Sequence, residues 1–196
     1  MTPLQKLGSM PDEELIVHEA GHWVVGLALG IQEAGITFFP PGSNLRTVAN
    51  YSAAHVSANK KMIRALAGMY TQATCAGVST IPNDLRERIT KGNLFRKGES
   101  IDVHGPMSIM MNSLGLAGDW HDLVALPRQR SPDKARVLLQ SVHRRLINLF
   151  EANCLVKAVD RIVSDVNLWL GTEDEDVSYA PLLIYGIGRA RKVIQS

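Results

Sequence analysis

A chain of 196 residues that is 45% apolar and 20% charged has the make-up of an ordinary globular domain with a sizeable core. Its net charge of +2 is too small to argue for nucleic acid as a partner, and apart from Arg86 to Lys97 and a basic end at Arg189, Arg191 and Lys192 its cations are scattered. The two cysteines, Cys75 and Cys154, are too far apart for a metal-type pair, which excludes a disulfide framework and predicts buried thiols in a reducing compartment.

The first residues, with Lys6, Asp12, Glu13 and Glu14, do not form a signal peptide. Pro11-Asp12-Glu13-Glu14 starts a helix, its acids complementing the helix dipole. The helix runs through Ile16, Val17, Ala20, Val24, Leu27 and Ala28, with Gly30 as the stop. Trp23 to Ile31 is about half the apolar length a membrane span needs, so a cytoplasmic protein without a span is expected. Gly35 to Phe39 and Thr47 to Tyr51 predict strands of a small antiparallel hairpin, joined through Pro40-Pro41 and Gly42-Ser43-Asn44. Ser57 caps a second helix that reads through Met62, Ile63, Leu66, Ala67, Tyr70 and Ala73 to Gly77.

Pro82-Asn83-Asp84 starts a short polar helix, Lys91 to Glu99 reads as a basic loop, and the Arg86 to Lys97 run reads as a solvated face, with contact to an acidic partner as the alternative. The apolar stretch Met107 to Met111 reads as core. A loop with Gly115 and Gly118 leads to a helix starting at Asp119 and ending near Pro127. Ser131-Pro132-Asp133 opens a long helical pattern through Leu146, Phe150, Leu155 and Ile162 to Gly171, followed by the acidic turn Glu173 to Asp176. The tail from Tyr179 to Ile194 is apolar enough to pack back on the body. No repeat or linker appears, so residues 1–196 read as a single domain with a metal-site core over 11–126 and a C-terminal helical part over 131–196.

The stretch with the most chemistry is His18-Glu19-Ala20-Gly21-His22, an H-E-x-x-H in the middle of the first helix. Histidines four positions apart lie on one helix face and can hold one metal ion, while Glu19 can take a proton from a metal-bound water. The small Ala20-Gly21 pair suits a helix crossed closely by another backbone. A catalytic zinc takes three protein ligands, so a third is needed. A thermolysin-like glutamate is missing, because Phe38 to Ser43 holds no acid. A metzincin-like third histidine is missing too, since Ala28 stands in its place.

The block His18 to Gly26 resembles the peptidase domain of FtsH-type ATP-dependent zinc proteases, whose motif reads H-E-A-G-H before an apolar run. The order of the next elements is similar: a short β segment, then a helix with a small-residue pair, here Ala67-Gly68. The resemblance spans roughly Pro11 to Val166, and only the five-residue motif is specific. It implies an aspartate as third ligand, in a G-x-x-x-D context at a helix start. Two aspartates fit, Asp119 after Gly115 and Asp102 after Gly98. Asp119 is favoured because Gly105 and Pro106 would disturb a helix meant to orient Asp102. His55, His104, His121 and His143 are the remaining candidate ligands, and His104 and His121, which lie near these aspartates, are also candidates for orienting substrate or an oxyanion. The family usually has an A-E pair where Thr71-Gln72-Ala73 stands, and its ATPase module has no counterpart here.

These readings predict an α+β, mostly helical, zincin-like metallopeptidase domain with a small sheet beside the motif helix. His18, His22 and Asp119 would bind Zn2+ and Glu19 would act as general base on peptide or unfolded protein. Substrate would add as an extra strand along Ile36 to Phe39 or its partner. A separate ATPase or a homo-oligomer would supply what the family's missing module does. The alternatives are a non-catalytic zinc-binding or partner-binding module, and a zinc hydrolase of a non-peptide amide.

Overall fold

The computed structural model describes residues 13–38, 47–51, 55–77, 79–96, 99, 101, 104–153, 155–172 and 184–186. Pro11-Asp12, Phe39 to Asn44, Asp102, Cys154, Glu173 to Asp176 and the basic end at Arg189, Arg191 and Lys192 lie outside the described residues. The described part is mostly helical with one small sheet.

The motif helix α1 (Glu13–Ala28) is buried on every side from Ile16 to Gly26, so it forms the centre of the fold and carries its polar motif inside. It ends where the sequence places the stop. Gly30 N–H donates to Leu27 O and Ile31 N–H to Gly26 O, and Gly30 adopts the left-handed φ of 69° that this turn requires.

β1 (Glu33–Phe38) runs antiparallel to β2 (Thr47–Tyr51), with Ile36 opposite Ala49 and Thr37 opposite Val48. A bulge between Glu33 and Gly35 breaks the register, and Gly35 takes a φ of 146° there. The far side of β1 is also paired. The tail strand β3 (Ile184–Gly186) lies antiparallel to it, Ile36 opposite Tyr185, giving the order β2-β1-β3. This corrects the expectation that Ile36 and its neighbours form a free edge. β1 is the central strand, and β2 is an outer strand with no second partner among the described residues.

α2 (Ala58–Cys75) is capped by Ser57, whose Oγ accepts from Lys60 N–H, and it makes the most extensive helix contact in the fold, with α1. α3 (Asn83–Thr90), α4 (Pro106–Ser113) and α5 (Ala117–Val124) follow, and α5 packs on α2 through Trp120, Leu123 and Val124. α5 begins two residues before the expected Asp119, so Gly118 is helical and Asp119 lies in the first turn. The long C-terminal pattern is two helices, α6 (Pro132–Asn153) and α7 (Leu155–Thr172). They serve different faces, α6 packing on α2 and α7 on α1, which one straight helix of that length would not do.

Met111 is fully buried and Met107 and Met110 pack against the same core. Cys75 is a free, half-buried thiol whose pKa burial pushes up. The Arg86 to Lys97 stretch is not a uniformly solvated face. Arg88 is buried, pairs with Glu99 and donates to Leu94 O at 2.6 Å, because the loop after α3 folds back over it. No helix among the described residues is long and apolar enough to cross a membrane.

Candidate metal centre

α1 and α5 bring three side chains to one point. His18 and His22 project from α1 at the spacing of one turn, their rings nearly perpendicular with centroids 4.6 Å apart. Asp119 reaches them from the first turn of α5, Oδ2 lying 2.8 Å from His18 Nε2 and Oδ1 3.0 Å from His22 Nε2. The two Nε2 atoms are 3.0 Å apart. Both histidines are buried and the Asp119 side chain is 19% exposed, so the cluster opens to solvent only at the aspartate.

The other nitrogen of each ring is already engaged. His22 Nδ1 donates to Arg64 O at 2.7 Å, and a carbonyl can only accept. His18 Nδ1 donates to Gln72 Oε1 at 2.9 Å. In the neutral rings both Nε2 atoms therefore present lone pairs, facing each other and a carboxylate. Such a convergence needs a cation or an extra proton. A tetrahedral zinc with bonds of about 2.0–2.1 Å would hold its ligands about 3.3 Å apart, close to the spacing seen. Imidazoles locked through the second nitrogen are the usual support of a metal site. The donor set fits a divalent ion, and the buried His18-His22-Asp119 group can hold one.

One face of α2 shapes the centre. Arg64, Gly68 and Gln72 follow at intervals of four, placing a carbonyl, a missing side chain and an amide against the two rings. A Cβ on Gly68 would lie 2.5 Å from His22 Nε2 and 2.7 Å from His18 Nε2. Below it, Gly21 faces Thr71, whose hydroxyl sits 2.9 Å from Ala67 O.

Glu19 is buried next to His18 and close enough for its charge to act on that ring. His121 is exposed and 3.7 Å from Asp122, and His104 and His55 are exposed too; none joins the cluster. His143 is buried against Tyr70 and is not part of the His18-His22-Asp119 group. Asp102, the other candidate ligand, lies outside the described residues. Gln72 and Glu14 belong to the surroundings of the site, a role the sequence reading gives to neither. The available signal is the polar Gln72 on the helix face that also carries Gly68 and Arg64.

In the metal-free protein, burial pulls the His18 pKa down, but the Asp119 charge and hydrogen bond, with Glu19 and Gln72, overcome it and raise it to about 9. Burial pushes Asp119 up, and the two histidines reverse this and hold it far below the usual carboxylate range. A raised histidine stabilises the fold below its unfolded value of 6.5, and this is lost as pH rises toward about 9. A depressed aspartate stabilises above its unfolded value of 3.8 and is lost as pH falls below it. Chelator-treated protein should thus melt highest between about pH 4 and 6.5 and lose Tm toward pH 9. A Tm rising over that upper range would contradict the pairing.

No family model matches the chain, and no curated protein or solved structure does either.

Proposed function

We propose that this is a zincin-like, zinc-dependent peptidase domain, with His18, His22 and Asp119 as ligands and Glu19 as general base. The observation that carries the reading is the convergence of two Nε2 lone pairs and a carboxylate, with each Nδ1 bound elsewhere. The H-E-A-G-H motif and the G-x-x-x-D of Gly115 to Asp119, which resemble those of FtsH-type peptidases, support it. When bound, zinc supplies Lewis acidity toward water and toward a carbonyl oxygen. Glu19 takes the proton from the attacking water and passes it to the leaving amine. An extended peptide or unfolded chain is the substrate, and β2 is the outer strand beside α1 on which it would add.

A metal site without catalysis is the second reading, favoured by one observation. Both histidines are only 4% exposed and Glu19 8%, and structural zinc sites are closed ones. Glu19→Gln separates the two. It should keep one equivalent of zinc and lose at least about 100-fold in cleavage of an unfolded protein such as casein. Undiminished cleavage would sink the general-base role. A zinc-loaded wild type that cuts neither casein nor short peptides would favour the structural reading.

A further inference from the structure

Glu14 stands at the start of α1 like an ordinary helix-dipole acid, yet it is only 8% exposed, whereas its neighbour Glu13 is exposed. Its Oε1 gathers four donors: Gln72 Nε2 at 2.6 Å, Thr80 N at 2.7 Å, Ser79 Oγ at 2.9 Å and Thr80 Oγ1 at 3.1 Å. Burial would push its pKa up, but these donors outweigh burial and hold it down, so the group is a carboxylate. A carboxylate buried this way and touching no reacting group needs a purpose beyond capping.

We infer that Glu14 acts through Gln72 as a positioning relay that sets which nitrogen of His18 faces the metal. The logic is one of donors and acceptors. A carboxylate only accepts, so the Gln72 amide must turn its NH2 group toward Glu14. Its carbonyl oxygen is then left for His18, 2.9 Å from Nδ1. Oxygen accepts, so Nδ1 must carry the ring proton and Nε2 keeps its lone pair toward His22 and Asp119. Turned the other way, the amide would present N–H to Nδ1 and drive the proton onto Nε2, closing the site to a cation. His22 needs no such device, because the Arg64 carbonyl fixes its tautomer directly. The relay makes His18 a better ligand by placing a full negative charge one amide away, in place of a carboxylate on the ring itself.

The inference rests on the metal-site part of the proposed function and not on peptidase activity. It is tested by replacing each of the two polar groups. Zinc affinity, read by competition with a chromogenic chelator, should fall about 10- to 100-fold in Gln72→Leu. Gln72→Glu should fall at least as far, since two buried carboxylates would then face each other. Glu14→Leu removes the acceptor that orients the amide and should lower affinity as far as Gln72→Leu does, whereas Glu14→Gln, whose amide oxygen can still accept from Gln72 Nε2 and Thr80 N–H, should stay within about threefold of wild type. Long-range proton–nitrogen NMR of the metal-free protein, at a pH where His18 is neutral, should show Nδ1-H in wild type and in Glu14→Gln, and a mixture in Gln72→Leu and Glu14→Leu. Wild-type affinity and tautomer in Gln72→Leu would overturn the relay. So would a folded Glu14→Leu that binds zinc as tightly as Glu14→Gln. A wild type that binds no zinc but keeps the Nδ1-H tautomer would overturn the metal reading and leave the relay standing.

Discussion

Gly68→Ala is expected to give a folded protein that has lost its metal site. The added methyl would stand 2.5 Å from His22 Cε1 and Nε2 and 2.7 Å from His18 Nε2, inside the space where the ligand atoms meet. Real Cβ atoms do not approach that closely, so a ring must turn. Each ring is tied through Nδ1, to Arg64 O or Gln72 Oε1, and turning either one breaks that bond and the convergence together. The helix itself gains, because alanine is better than glycine in a helix interior by about 1 kcal/mol. The expected result is a Tm near or above that of metal-free wild type, with zinc affinity lower by about 100-fold or more. Chelator competition beside a thermal melt checks both halves, and wild-type affinity in the variant would show that the ion sits elsewhere.

Gly21→Ala should act on the fold instead. Here the new Cβ would be 2.0 Å from Thr71 Oγ1, 2.7 Å from Thr71 Cγ2 and 2.9 Å from the Ala67 carbonyl oxygen. The carbonyl belongs to the backbone of α2, and the threonine hydroxyl is held among Val17 O, Ala67 O and Gly68 O. Relief therefore requires α1 and α2 to separate along their main contact. Overpacking of this kind costs about 3 kcal/mol, more than the ~1 kcal/mol gained in helix propensity. In a chain of this length a net loss of about 2 kcal/mol lowers Tm by about 4–8 °C. Removing the two nearest atoms with Thr71→Ala should recover much of that loss in the double variant. A double variant no more stable than Gly21→Ala would mean that the Ala67 carbonyl sets the cost.

Part of this is legible in the residues because it is local. A polar H-E-x-x-H within the apolar run Ile16 to Val25 marks a helix buried together with its two histidines. The stop at Gly30, the cap at Ser57 and the hairpin of β1 and β2 come from short-range chemistry. Asp119 stands out by the quality of its helix, and Trp120, Leu123 and Val124 are the residues that seat α5 on α2.

The rest depends on partners distant in the chain. Glu14 has the sequence signature of a dipole acid, and only its contact with Gln72, Ser79 and Thr80 shows otherwise. Three residues of the tail, Ile184 to Gly186, carry no local strand pattern, yet they occupy the side of β1 that looks free in the sequence. Arg88 reads as surface charge until Glu99 and Leu94 O close over it. The division of the C-terminal pattern into α6 and α7 depends on which helix each half packs against.

The most direct test of the central claim is the zinc content of protein purified without chelator, measured by elemental analysis for wild type and Asp119→Ala. Wild type should carry about one zinc per chain, and Asp119→Ala should lose most of it while remaining folded. Wild type without zinc, or Asp119→Ala with an undiminished equivalent, would contradict the account.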